Sequence, residues 1–303
     1  MATTLQQLAA ASTDKLVQGF INEIAADSYI LGNMPFDDCL TPSGTSDLVY
    51  AYSRVTTPAS AAFRALDAEP DASNAQITKY TAKVAVLNSN FTIDRVAAKA
   101  APSLLDMKLG EAKNAIIRKF NSALINGDVT EEQYGFDGLS KALTDSSTEV
   151  ASSTDISDAS AIASNALAFA SEMDDMLSLL DGDPSAILVG RSMKVKLSAI
   201  ARALGIYQTM PDEVGRPIGN WAGVPVIALK DGAITSNDVY AVRFGMDGFH
   251  GVTLTGGNAI TVTVPDLSQA GAIHKGDAEF VCGVALKATK AAGVLRVSGA
   301  DSE

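Results

Sequence analysis

The stretch from Ile77 to Gly127, ITKYTAKVAVLNSNFTIDRVAAKAAPSLLDMKLGEAKNAIIRKFNSALING, changes period part-way along, and that change decides the fold. As far as Ile93 it alternates. Tyr80, Val84 and Val86 oppose Lys79, Thr81 and Lys83, as side chains do on the two faces of a strand. After Pro102 and Ser103 the apolar residues fall at Leu105, Leu109, Ala112, Ile116, Phe120 and Leu124, which is one stripe of a helix. Asn126-Gly127 closes it in the manner of a glycine C-cap. At about 1.5 Å per residue the helix is a rod of about 35 Å, long for a globular domain.

Working outward toward the N-terminus, residues 48–56 alternate as well, with Leu48, Tyr50 and Tyr52 on one side and Val49, Ala51 and Ser53 on the other. The two alternating runs are separated by Thr57 to Gln76, a stretch with Pro58 and Pro70 that is too long for an ordinary hairpin loop. Together they predict an extended two-stranded arm. Upstream, Leu16, Phe20, Ile24 and Ile30 recur near helical spacing and predict a helical segment that Pro35 and Asp37-Asp38 stop.

Toward the C-terminus a Ser/Thr/Asp-rich stretch, 144–160, reads as a loop. Next comes an amphipathic helix from Ala161 to Leu180, striped by Ile162, Ala166, Phe169, Met173 and Leu177. Ala186 to Val189 is a short buried strand, and Leu197, Ile200, Ala201 and Leu204 stripe the following helix, capped by Gly205. Strands are predicted at 224–229, 239–244, 251–255 and 259–264, the last two joined at Gly256-Gly257-Asn258, and then at 280–287 and 294–297. The fold class is α+β.

Composition narrows the function. The 303 residues are 47% apolar and 19% charged, too apolar for a disordered chain, and 35 acids against 23 bases give a net charge of −12. That balance argues against a general nucleic-acid binder, whose affinity comes from Lys and Arg. No run of about 18 apolar residues occurs, so no membrane span is expected. Lys15 is the first basic residue, which does not fit a secretory signal, and two distant cysteines, Cys39 and Cys282, fit a reducing cytoplasm. Charge is uneven: residues 120–190 hold thirteen acids and one base, Lys141. Two basic helices flank this window, one with Lys108, Lys113, Arg118 and Lys119, the other with Arg191, Lys194, Lys196 and Arg202. Their expected partner is the acidic window, within a copy or between copies, rather than DNA.

Catalytic chemistry finds little support. His250 and His274 have no His or Cys at metal-ligand spacing and read as surface or loop residues. Gly271 and Gly276 have phosphate-loop spacing, but Asp277 and Ala278 stand where Lys and Ser or Thr are required. The pairs Glu131-Glu132, Asp174-Asp175 and Asp212-Glu213 read as solvated acidic faces. The expectation is a protein that is not an enzyme and holds no cofactor or metal.

Several phrases in their order carry a resemblance. Arg54-Val55, Phe63-Arg64-Ala65-Leu66 and Phe91-Thr92-Ile93-Asp94-Arg95 lead into the rod, which ends Ala123-Leu124-Ile125-Asn126-Gly127-Asp128 and is followed by Gly135-Phe136-Asp137-Gly138-Leu139. Then come Ala186-Ile187-Leu188-Val189-Gly190, Gly205-Ile206-Tyr207 and Gly219-Asn220-Trp221-Ala222-Gly223-Val224-Pro225-Val226. In this order the chain resembles the major capsid proteins of tailed bacteriophages with the Hong Kong 97-type shell fold.

The resemblance implies an N-terminal arm (1–47), an extended two-stranded loop (48–94), a peripheral domain with a spine helix (95–135 and 265–303) and a mixed axial domain (136–264). It implies pentamers and hexamers in an icosahedral virion shell around double-stranded DNA, assembled in the host cytoplasm, with no membrane. It implies contacts between copies at Arg54, Arg64, Lys79 and Lys83 of the loop, Asp212, Glu213 and Arg216 at the axial tip, and His274 and Lys275 at the periphery. Some relatives carry a long N-terminal scaffolding segment, whereas about 45 residues precede the loop here, so either any scaffolding protein is separate, like a portal and a decoration protein, or the chain is a processed form. Some relatives weld a loop lysine to a peripheral asparagine. Lys79 and Lys83 are available here, but Pro265 to Gly276 contains no asparagine, only Gln269. Encapsulin shells share the fold and give the nearest alternative; an α/β enzyme or binding protein is the more distant one.

Overall fold

The computed structural model describes residues 3–4, 15–39, 48–57, 59–69, 73–101, 103–211, 217–230, 232–234, 236–254 and 260–297. Among these the strands form two sheets and a separate hairpin. The hairpin pairs β3 (Val49–Thr57) with β4 (Gln76–Lys83), Tyr52 opposite Tyr80, with a register shift between Val55 and Thr57.

The predicted second arm strand is two strands. The chain breaks at Val84, and β5 (Ala85–Asp94) leaves the hairpin to pair with β14 (Ile273–Leu286) over ten residues. Residues 85–94 therefore belong to the body rather than to the extended loop. Val84 is buried and donates its N–H to the Leu48 carbonyl at 2.9 Å, which fixes the point where hairpin and body part.

The six-stranded sheet runs β1 (Thr3–Thr4), β2 (Pro35–Asp38), β12 (Phe249–Thr253), β14, β13 (Ile260–Thr263), with β5 also on β14. The seven-stranded sheet runs β6 (Glu149–Ser152), β15 (Ala292–Val297), β11 (Val239–Val242), β7 (Ala186–Val189), β10 (Val224–Ala228), β9 (Pro217–Trp221), β8 (Gln208–Pro211).

These pairings cut across the expected domain boundaries. β12 and β13 lie within 136–264 but pair with β14 in the first sheet, whereas β15 lies within 265–303 but pairs with β11 and β6 in the second. Linear order does not show this, because β15 crosses back to a strand some fifty residues upstream. β14 also begins earlier than expected, since His274 and Gly276 occupy its inward positions and interrupt the apolar alternation.

Helix α1 (Lys15–Asp27) and α2 (Tyr29–Asn33) do not stand away as a free arm. Phe20, Ile21, Ile24, Ile30, Leu31 and Met34 are buried in one core with the rod, and Lys113 of the rod reaches Glu23 at 3.1 Å and Asp27 at 2.8 Å. A short helix α3 (Arg95–Ala100), capped by the Asp94 carboxylate, leads into the rod α4 (Leu104–Asn126). The predicted stripe holds: Ala112, Ile116, Phe120 and Leu124 are buried, and Phe120 lies 5.4 Å from the Phe280 ring and 6.1 Å from Phe136.

Gly127 closes the rod for a reason the sequence did not show. Its φ is −56°, so no left-handed cap exists; a Cβ there would stand 2.3 Å from the Phe136 carbonyl and 2.4 Å from that of Ala123. The glycine lets the 128–138 turn fold back onto the rod and set α5 (Leu139–Leu143) beside it. Helix α6 (Ala159–Ser178) and α7 (Arg191–Ala203) cover the other face of the seven-stranded sheet, with their own core of Phe169, Met173, Met193, Ile200 and Trp221. At Gly205, φ is +71° and the predicted left-handed cap is present, Ile206 N–H bonding to the Ala201 carbonyl at 2.9 Å.

Candidate functional site

The hairpin is rooted on the outer face of the six-stranded sheet through aromatic and charged side chains. Strand alternation puts Tyr50 and Tyr52 on its inner side, where they meet Val84, Val252, Ala285 and Cys39. The Tyr50 hydroxyl donates to the Asp37 carboxylate of β2. Lys287 sits 3.5 Å from the same carboxylate and 5.4 Å from the centre of the Tyr50 ring. Tyr52 stacks on Tyr80 at 6.0 Å, and the Arg54 guanidinium lies 4.3 Å over Tyr80. That guanidinium also donates to the Leu286 carbonyl and, at 3.1 Å, to Thr289 Oγ1. One arginine thus ties the hairpin to the end of β14.

Electrostatics at the root follow from burial and charge. Burial pulls the Asp37 carboxyl upward, but the Tyr50 hydroxyl, the Asp38 N–H and the Lys287 charge outweigh it and hold the group below its ordinary value. Burial, with the Asp37 hydrogen bond, drives the Tyr50 hydroxyl well above its usual range. His250 is fully buried, edge-on to Tyr50 at 5.7 Å, and neither ring nitrogen has a well-formed hydrogen bond. Burial first, and the Lys287 charge second, push its pKa down to about 4, against a weaker opposing pull from Asp37. The imidazole is neutral at pH 7.

Both histidines correct the expectation of surface or loop positions. His274 is buried as well, facing inward on β14 with its Nε2 3.2 Å from the Gly271 carbonyl. Arg54 is likewise engaged within its own chain. Lys83 donates to the Gln133 carbonyl in the turn after the rod. Lys79 and Lys275 are exposed, and Arg64 is exposed at the loop tip, bonded to the Ala68 carbonyl at 3.0 Å. Asp212, Glu213 and Arg216 lie outside the described residues, as does Gly256-Gly257-Asn258. Sequence reasoning missed Asp37 and Lys287. Tyr50 and Tyr52 on one strand face were a visible signal; that Asp37, thirteen residues back, and Lys287, more than two hundred residues on, would meet at Tyr50 was not.

Beyond the root, the hairpin and the stretch between its strands carry exposed apolar side chains. Phe63 and Leu66 are almost wholly exposed, and Val55 and Ile77 more than half exposed. Among the described residues no three His, Cys, Asp or Glu side chains gather as a metal site, and no helix is long and apolar enough to cross a membrane. No disulfide joins the buried Cys39 and Cys282.

No family model and no curated protein matches the chain. Solved structures do. A chain of the holo-SrpI encapsulin complex from Synechococcus elongatus PCC 7942 superposes with a TM-score of 0.62 at 12% identity, covering 88% of this chain and 86% of the other. A chain from Mycobacterium phage Bobi gives 0.58 at 16% identity over 90% and 91%, and the capsid of a native GTA particle, computed with C5 symmetry, gives 0.56 at 14% over 84% and 86%. The chain has the Hong Kong 97-type shell fold. β3 and β4 lie in the range expected for the extended loop, α4 in that expected for the spine helix, and six of the seven strands of the seven-stranded sheet in that expected for the axial domain.

Proposed function

We propose that this protein is the major capsid protein of a tailed bacteriophage, a structural rather than catalytic chain that assembles through pentamers and hexamers into an icosahedral head around double-stranded DNA. The observation that carries the reading is the extended loop. A 35-residue excursion, held to the body only at its root and bearing exposed Phe63, Leu66, Val55 and Ile77, does not bury its apolar surface within one copy. A neighbouring copy completes it, and a contact between different patches of identical chains closes into rings. Arg64, Lys79 and Lys275, exposed in one copy, belong among the contacts proposed between copies. A separate scaffolding protein, a portal and a decoration protein are further proposed partners, and the virion is the proposed location.

Negative-stain microscopy of the purified protein tests the shell. Hollow uniform particles or capsomer rings support it, and dispersed monomers at every concentration overturn it. A second reading, a cellular nanocompartment shell, is favoured by the superposition on the encapsulin chain. Contents decide between them: nuclease-protected double-stranded DNA in native particles supports the phage head, and a protein cargo without DNA supports the nanocompartment.

A further inference from the structure

Helices α6 and α7 form one layer on the axial sheet, α6 against β6 and β15, α7 against β10. Their outer surfaces carry opposite charge. Helix α7 has four cations, Arg191, Lys194, Lys196 and Arg202, and no acid. None of the four forms an ion pair among the described residues, although Lys196 lies in the field of Asp155. The expected pairing with the acidic window is made instead by the spine helix, whose Lys119 meets Glu132 at 2.6 Å. On α7, Arg191, Val195 and Arg202 share the outward ridge; Val195 is 66% exposed, and Arg202 lies 5.0 Å over the Tyr207 ring. Lys194 beside them is half-buried, and burial pulls its ammonium down with no carboxylate to oppose it.

The neighbouring ridge is the complement. Residues 142–190 contain nine acids and no Lys or Arg. Some of these acids have internal work: Glu149 holds Arg296 at 2.8 Å, Glu172 takes the Ser152 and Thr154 hydroxyls, and Asp158 caps α6. Asp175 and Asp181 do not, and they face solvent. Leu167, Ser171, Asp175 and Leu179 stand four apart along one outer row, with Leu167 73% exposed. Each ridge is thus an exposed aliphatic with charges of a single sign, which is one half of a contact.

We propose that the α7 ridge of one copy, centred on Arg191, Val195 and Arg202, docks on the α6 ridge of a second copy and the turn that follows it, at Leu167, Asp175 and Asp181. The inference rests on the shell reading and names one of its contacts. Charge complementarity selects the second copy as occupant, since the chain carries both halves and does not join them within itself.

Charge exchange tests this once the unaltered protein has been seen to form particles; if it forms none, the shell reading fails and the contact is not in question. R191E/R202E and D175K/D181K alter exposed positions, so each should keep the circular dichroism and melting temperature of the parent. In about 0.1 M salt each should lose at least tenfold in the sedimenting particle fraction, and the four substitutions in one chain should restore it. Full assembly of either pair variant, or a folded four-fold variant that stays unassembled, would overturn the contact. Unchanged particle yield of the parent in 1 M salt would count against it as well.

Discussion

His250 makes the hairpin root sensitive to acid. Its pKa, about 4 in the folded chain against 6.5 in the unfolded one, means that between those values the unfolded chain binds the extra proton. The stability this neutral imidazole contributes is complete above pH 6.5, falls as the pH drops through the window, and stops changing below about 4. At pH 5 the loss should be about 2 kcal/mol, from 1.36 kcal/mol per unit. His250→Phe keeps a ring against Tyr50 and removes the titration. Urea unfolding of the isolated subunit at pH 7.5 and pH 5 should show the parent losing that much more than the variant, and equal losses would refute the assignment. Arg54 acts at the same root. Arg54→Lys keeps the charge but cannot lie flat on Tyr80 while donating to both Leu286 and Thr289. It should unfasten the hairpin at a cost of about 1–2 kcal/mol. Hydrogen exchange should report faster exchange in residues 49–57 with the spine helix unchanged; equal protection in 49–57 would show that the arginine is not the tie.

The extended loop is a separable element, since β3 and β4 pair only with each other and touch the body at one end. Replacing residues 58–75 by a short Gly-Ser turn should therefore preserve the far-ultraviolet circular dichroism and the melting transition of the body while abolishing particles. Complete shells from the shortened chain would show that the loop is not the contact. This element was legible because alternation is a local signal, and the spine helix and α6 were legible through their stripes for the same reason. What was not legible depends on pairing across the chain. The 77–93 run keeps its alternation through Val84, so nothing local marks where β4 leaves β3 and β5 joins β14. Likewise β15 is a short apolar strand whose composition suits either sheet, and only its partners β11 and β6 place it. The exposure of single side chains follows the same logic. An exposed lysine such as Lys79 can be read from its alternating neighbours, whereas the burial of His274 depends on a sheet assembled from three distant segments.

At the scale of the whole molecule, the proposed shell is held together either by covalent bonds between copies or without them. A weld between a loop lysine and a peripheral side-chain amide needs an amine free to move and an amide held at attacking distance. The amine side is weak: Lys83 is already tied to the Gln133 carbonyl, which leaves Lys79. The amide side is weaker still. The peripheral turn that precedes β14 is closed by Asp266, which accepts the Ser268 N–H at 2.9 Å and its hydroxyl at 2.6 Å. Gln269, the one amide side chain from Pro265 to Gly276, is exposed beyond that turn and is a methylene longer than asparagine. A reaction that depends on near-attack geometry loses its advantage when the acceptor is displaced by that length and its amide is held by the Asp266 carboxylate. On the shell reading, noncovalent contacts should then hold the copies together, the proposed loop and ridge contacts among them. Mature particles boiled in detergent should run on a denaturing gel as one band near the chain mass of 31.4 kDa. A ladder of multimers that persists after boiling and reduction would mean that a lysine has found an acceptor elsewhere, and Lys79→Arg would then identify it by collapsing the ladder.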